Sequence, residues 1–321
     1  FGKTGVLIIN LGTPNSTSWW DIRKYLKEFL SDKRVIEVNP IIWQIILNLF
    51  ILTFRPSKTA SAYKKIWMKE TDESPLRYFT RSQAEKLKQK VGNENIIVNF
   101  AMRYGNPSIK SKLYELKNKG CENIIILPLY PQYAAATTAT VCDEVYRTLM
   151  GMRWQPSLQI VPHYESEPLY IDALVKSIQN KIKNINWKPD LIVASYHGIP
   201  KKYFDKGDPY QCYCQKTTRL ISEKFSQVKI QTTFQSRFGP QEWLTPYTDK
   251  TLELLPGREV KKLLVICPGF ASDCVETLEE INIQGRESFL KSGGEEFDLI
   301  PCLNDNSDHI LLFESLVKKY F

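Results

Sequence analysis

Short apolar runs alternate with amphipathic stretches along almost the whole chain. Residues 5–14 (GVLIINLGTP) form a continuous apolar run stopped by Gly and Pro, which reads as a buried strand ending in a turn. Residues 18–30 then read as an amphipathic helix. The pair recurs. Strands are predicted over 95–105, 123–131, 157–164, 190–200 and 230–240, and helices over 80–91, 107–119, 137–149, 169–182, 216–225 and the closing SDHILLFESLVKKYF. A polar loop, KKYFDKGDPYQCYCQ, is expected over 201–215. Strands that are apolar throughout belong to parallel sheets covered on both faces. The pattern therefore predicts an α/β fold.

One segment departs from the alternation. Residues 41–54 (IIWQIILNLFILTF) are apolar nearly all round, interrupted by Gln44 and Asn48. The run is shorter than the roughly 18 residues of a spanning helix. It reads either as a buried core helix or as an exposed lip that touches a membrane or an apolar substrate.

Residues 261–284 (KKLLVICPGFASDCVETLEEINIQ) join a strand to a row of carboxylates. The apolar run over 263–267 has strand length and is stopped by Pro268 and Gly269. Ser272 or Asp273 offers a cap oxygen, and a helix is predicted over 275–284. Glu276 and Glu280 lie four apart and so share a face, where like charges repel. A site that needs negative charge tolerates that cost. An ordinary solvated acidic face has the same spacing, and the helix alone does not separate the two.

The chain also repeats itself. VNFAMRYGNP and TTFQSRFGPQ share FxxR[YF]G, which pairs Arg103 with Arg237; LYPQYAAATT resembles ICPGFASDCV; INLGTP resembles SYHGIP, which sets Leu11 against His197. Three ordered matches predict two similar α/β halves. Ligands of open α/β sheets sit beyond the carboxyl ends of the strands, so a cleft between the halves is expected. Leu11, Arg103, Tyr104 and Tyr133 would line one wall, and His197, Arg237 and the 268–276 turn the other.

Length and composition narrow the chemistry. A chain of 321 residues, 43% hydrophobic and 24% charged, suits two globular domains. The net charge is +8, yet no basic run exceeds two residues, so nucleic acid is not an expected partner. Seven cysteines, an odd number in a long chain, fit a reducing compartment better than a disulfide framework. No GxGxxG, P-loop or GxSxG pattern is present, and the CxC of Cys212 and Cys214 lacks a second ligand pair nearby. His197, one of three histidines, ends an apolar strand beside Gly198. An imidazole there can accept a proton near neutral pH, and a nearby carboxylate such as Glu276 would stabilise the imidazolium. His163 and His309 read as structural residues.

LGTP at 11–14, Tyr63, ESPL at 73–76, FAMRYG at 100–105, SYHG at 195–198, KGDPY at 206–210, FQSRFGPQEWLTPYTD at 234–249 and GFASDCVETLEEI at 269–281 together resemble the ferrochelatase family, in its bacterial, proteobacterial-type members. The resemblance covers essentially the whole chain. It implies two Rossmann-like domains, 1–155 with 303–321 and an apolar lip at about 31–80, and 156–302 carrying His197 and Glu276. It implies a lyase that inserts Fe(II) into protoporphyrin IX to give protohaem with release of two protons, the last step of haem synthesis.

Residue by residue, His197 resembles the family's catalytic histidine, which takes the pyrrole protons or binds the incoming metal. Glu276 resembles its acidic partner, and Glu280 continues an acidic path for metal or protons. Gln284 stands where many relatives have another acid, and Cys274 where animal members have histidine. Leu11, Tyr63, Ser74, Arg103, Tyr104 and Trp243 resemble pocket residues, and Arg55 a propionate-binding arginine. The lip resembles an apolar mouth open to the membrane surface, which implies a cytoplasmic protein peripheral on the inner membrane; a homodimer is compatible with this. Some relatives hold a [2Fe–2S] cluster through extra cysteines, often in a carboxyl-terminal extension. The chain ends at Phe321 without one, so no cluster and no cofactor beyond substrate iron is expected. A haem, porphyrin or metal carrier without turnover, and a chelatase for another metal and tetrapyrrole, are the competing functions.

Overall fold

A computed structural model describes residues 2–321, and the chain forms two compact units. The first runs to Leu129, resumes over Ala134–Pro162 and again from Ile310; the second comprises Tyr130–Tyr133 and His163–His309.

The first unit is built on four parallel strands: β1 (Lys3–Thr13), β2 (Ile96–Gly105), β3 (Cys121–Pro128) and β4 (Ser157–Ile160), in the order β2-β1-β3-β4. The second unit repeats that order with β5 (Leu191–His197), β6 (Ile230–Gln235), β7 (Lys262–Ile266) and β8 (Glu296–Leu299), as β6-β5-β7-β8. Central strands are apolar on both faces because helices cover both. Val6, Leu7, Ile8 and Ile9 of β1 are each 0% exposed, and each fully buried aliphatic side chain contributes about 1.5–3 kcal/mol.

The repetition is one of order and facing rather than of register. Ile8 pairs with Phe100 in the first unit and Tyr196 with Phe234 in the second, although the repeated sequence strings set Tyr196 against Asn10. The ladders differ by two residues, and an even shift leaves every side chain on its original face.

Facing decides where the chemistry goes. Leu191 and Val193 of β5 pack with Leu252, Leu255, Ile281 and Phe289 in one core cluster. The two-residue period of a strand sends Ser195 and His197 to that same face. Ile281 belongs to the helix that carries Glu276 and Glu280, so the face of β5 that ends in His197 is the face this helix covers.

Several elements differ from their sequence expectation. The helix predicted over 275–284 is a π-helix, Glu276–Gly285, continued by the α-helix Arg286–Lys291. The matching place in the first unit also holds a π turn, Ala135–Ala139, ahead of the α-helix Thr140–Met150. The loop expected over 201–215 contains two helices, Lys201–Asp205 and Tyr210–Lys224. Cys212 and Cys214 fall on the second of these, where residues two apart face different ways: Cys214 is buried and Cys212 exposed. The helix expected to begin near Thr80 begins at Pro75, because Ser74 caps it by accepting the Arg77 N–H at 3.3 Å.

The lip is part of a continuous helix, Pro40–Ile66, with a π segment at Leu47–Ile51. Leu47, Leu52, Pro56, Ala60 and Tyr63 form its buried stripe. Ile41 at 75% and Phe54 at 72% exposure head a bare apolar face that includes Ile42, Ile45, Leu49 and Phe50. Of the two sequence readings, buried helix or exposed lip, the exposed one describes this face. At 27 residues the whole helix is long and apolar enough to cross a membrane by length and composition, which the apolar run alone was not.

Candidate active site

His197 closes β5, half-buried, with Gln235 of β6 as its partner across the ladder. Its Nδ1 lies 2.7 Å from the Gly198 carbonyl oxygen. A carbonyl only accepts, so Nδ1 carries the hydrogen and the neutral ring presents a lone pair at Nε2. A side chain at Gly198 would be crowded: a Cβ there would stand 3.0 Å from the Gln235 backbone oxygen and 3.2 Å from the Trp243 ring. The glycine thus lets Trp243 and β6 close in beside the histidine.

Gln235, 3% exposed, connects the strand end to the π-helix. Its Nε2 donates to the Glu276 carbonyl at 2.8 Å and reaches Glu280 Oε2 at 3.5 Å. Its Oε1 accepts from Ser195 at 2.7 Å, and Ser195 meets Thr248, which donates to Thr233 at 2.8 Å. A buried polar chain in which each member has a partner holds one geometry firmly. Ser236 follows in the left-handed conformation at φ +66°. That turn lets both its N–H, at 2.8 Å, and its hydroxyl donate to the Glu280 carboxylate. Strain of this kind persists where surrounding contacts over-determine it.

The electrostatics tie the same groups together. Burial raises the Glu280 carboxyl above the ordinary carboxylate range; the Ser236 hydroxyl and the His197 charge pull it down, and the Glu276 charge pushes it up. His197, Glu276 and Glu280 therefore form one electrostatic group inside the second unit. Gln284 is exposed and donates to the buried Glu279 at 2.7 Å. Burial holds the Cys274 thiol protonated.

Trp243, 5% exposed, donates its indole N–H to the Phe238 carbonyl at 3.1 Å. In the first unit, Leu11 is half-buried near the end of β1 and Arg55 is exposed on the lip helix. Tyr63, 5% exposed, packs edge-on to Trp67. Ser74, 1% exposed, is occupied as a helix cap. Arg103 pairs with Asp32, donates to the Thr140 carbonyl at 2.8 Å and lies 4.4 Å above the Tyr104 ring. Tyr104, 0% exposed, donates to Asp32 at 2.9 Å. Nothing in the sequence marks Gln235 and Ser236 beyond their place in the FQSRFG string, and only the fold shows that they face the acidic helix. Among the described residues, no three or more His, Cys, Asp or Glu side chains are grouped to hold a metal ion.

Known proteins place the chain as a whole. The curated ferrochelatase of Allorhizobium ampelinum is 53% identical over 99% of this chain and 94% of its own length, and that of Rhizobium meliloti is 52% identical over 99% and 95%. Among solved structures, SirB from Bacillus subtilis with Fe3+ aligns over 99% of this chain and 95% of its own at TM-score 0.60 and 11% identity. A sirohydrochlorin chelatase SirB from Bacillus subtilis subspecies spizizenii in complex with cobalt gives 0.58 at 11% identity, over 99% and 94%. At such identity the likeness concerns the fold, and it is the fold of chelatases. The family description Ferrochelatase matches residues 3–320, and with half of all positions shared with curated members, the chain belongs to the ferrochelatase family.

Proposed function

We propose that this chain inserts Fe(II) into protoporphyrin IX to give protohaem, the terminal step of haem synthesis. Two pyrrole N–H bonds break, the two protons leave, and iron keeps its oxidation state as it gains the four macrocycle nitrogens. Family membership supports the reaction, and the observation that carries the assignment of roles is the linkage of His197 to Glu280 and Glu276 through Gln235 and Ser236. His197 Nε2 takes a pyrrole proton, and the adjoining carboxylates stabilise the imidazolium that forms. Glu276 and Glu280 pass the cation and, after turnover, the protons. A delivery site needs no closed ligand set, because the macrocycle supplies the remaining donors. Leu11, Tyr63, Ser74, Arg103, Tyr104 and Trp243 shape the porphyrin pocket in this reading, and Arg55 meets a propionate.

The bare face of Pro40–Ile66 is read as a peripheral contact with the cytoplasmic side of the inner membrane. Residues 38–69 contain no Asp or Glu but carry Arg55, Lys58, Lys64, Lys65 and Lys69, which suits an anionic headgroup layer. Cosedimentation with anionic rather than zwitterionic vesicles checks this, and sedimentation velocity checks a homodimer. No resident cofactor belongs to the reading.

The deciding experiment follows protoporphyrin fluorescence after Fe(II) or Zn(II) is added with catalytic amounts of protein. Fluorescence lost over many equivalents, faster than without protein, is the expected result. Loss limited to one equivalent per chain would make the protein a carrier.

A further inference from the structure

One buried carboxylate in the second unit takes no part in the chemistry above. Asp273 is 5% exposed, and among the described residues no cation is paired with it. Neutral donors satisfy it instead. Its N–H donates to Asn304 Oδ1 at 2.8 Å while Asn304 Nδ2 donates to its Oδ2 at 2.7 Å. Its Oδ1 accepts the Thr277 hydroxyl at 3.0 Å and the Cys302 N–H at 3.3 Å. Thr277 Oγ1 in turn accepts the Cys274 N–H at 3.0 Å. Asn304 sits at φ +47°, a conformation asparagine tolerates better than most residues. Its carbonyl lies 2.6 Å from His309 Nδ1, and burial pushes that histidine down to about 4, so the ring is neutral and donates.

Asp273 precedes the π-helix by three residues, and Thr277 lies in the helix's first turn. Asn304 follows β8. The fork between Asp273 and Asn304 therefore fastens the start of the acidic helix to a segment 31 residues further along the chain. Both of its oxygens are taken up by Asn304, Thr277 and Cys302, which belong to the helix start and to the segment after β8 rather than to the group around His197.

We propose that Asp273 is a positioning residue: through Asn304 and Thr277 it fixes the first turn of the π-helix and hence the placement of Glu276, while its own charge takes no part in metal delivery. This rests on the assignment of Glu276 to the metal path.

The pair can be inverted. In Asp273→Asn alone, two amide NH2 groups face each other; in Asn304→Asp alone, two carboxylates do. Combined, the amide at 273 donates to the carboxylate at 304, its oxygen accepts from Thr277 and Cys302, and every bond returns with the charge moved. Each single variant is expected to lose at least about tenfold in kcat/KM for Fe(II), with porphyrin affinity within about threefold, and the double variant to recover to within about threefold of the parent. A double variant that melts with the parent but stays as slow as Asp273→Asn would overturn the proposal, because the charge at 273 would then be required. Single variants of parental rate would overturn it too.

Should the inverted pair not fold, Thr277→Val is expected to lose about fivefold for Fe(II) and Thr277→Ser to recover it. Parental rates for both would sink the proposal. Glu276→Gln in the same assay separates the two assumptions. If it metallates normally, the role given to Glu276 fails; if it is slow while the Asp273 and Asn304 variants are normal, only the clamp fails.

Discussion

The two units end equivalent strands in opposite ways. β1 approaches its turn with Leu11, β5 with His197. The π turn of the first unit reads AATTA, and that of the second begins ETLEE. The repeated arginine is buried against Asp32 in the first unit and stands exposed over Tyr247, paired with Asp249 at 2.9 Å, in the second. One scaffold thus supports an apolar, internally braced strand end and a titratable one. The difference resides in a few side chains at the carboxyl ends, since strand order and facing are shared.

Replacing those side chains is the way to break the comparison. His197→Ala is expected to lower metallation kcat by about 10²–10⁴ and leave porphyrin affinity within about tenfold, while Leu11→Ala acts on porphyrin KM rather than kcat. Retained metallation in a stopped assay would remove His197 from the mechanism. Arg103→Ala, which removes the cation from the largely covered Asp32 and leaves it the Tyr104 hydroxyl and the Arg34 N–H, is expected to cost about 3 kcal/mol in urea unfolding. Glu276→Gln should slow Fe(II) insertion about 10- to 100-fold with a smaller effect on porphyrin binding; equal losses in both would count against its role.

Glu280 gives a finer test. Its folded pKa lies above the unfolded 4.5 because of burial, so the folded state holds its proton more tightly. That contribution to stability is present below pH 4.5 and disappears as pH rises through the raised value. Glu280→Gln should flatten this fall in a series of unfolding curves across pH; an unchanged slope would mean the carboxyl is not strained. Smallest of all, Arg237→Ala is expected to change stability by under about 1 kcal/mol, because its ion pair is exposed.

The sequence disclosed the strands through their apolar runs and the histidine because it ends one of them. β8 (EFDL) is not legible: four alternating residues leave too short a run to read. The π-helix is not legible either, since widening a turn by one residue depends on what donates to the displaced carbonyls, here Gln235 from another strand. Ser236 looks like any serine until the turn after β6 places it in the left-handed region. Asp273 is readable as a cap for the acidic helix, but on that helix it holds the Thr277 side chain rather than a backbone N–H, and its other partners, Cys302 and Asn304, are far off in sequence. Ser74 stands out in the sequence for the string it belongs to, whereas its cap role goes with the proline after it.

The uncovered isoleucines and phenylalanines of Pro40–Ile66 have a practical corollary. In dilute aqueous buffer this surface gives each molecule an adhesive patch, so purified samples will tend to cluster as concentration rises and to disperse when a mild detergent coats the helix.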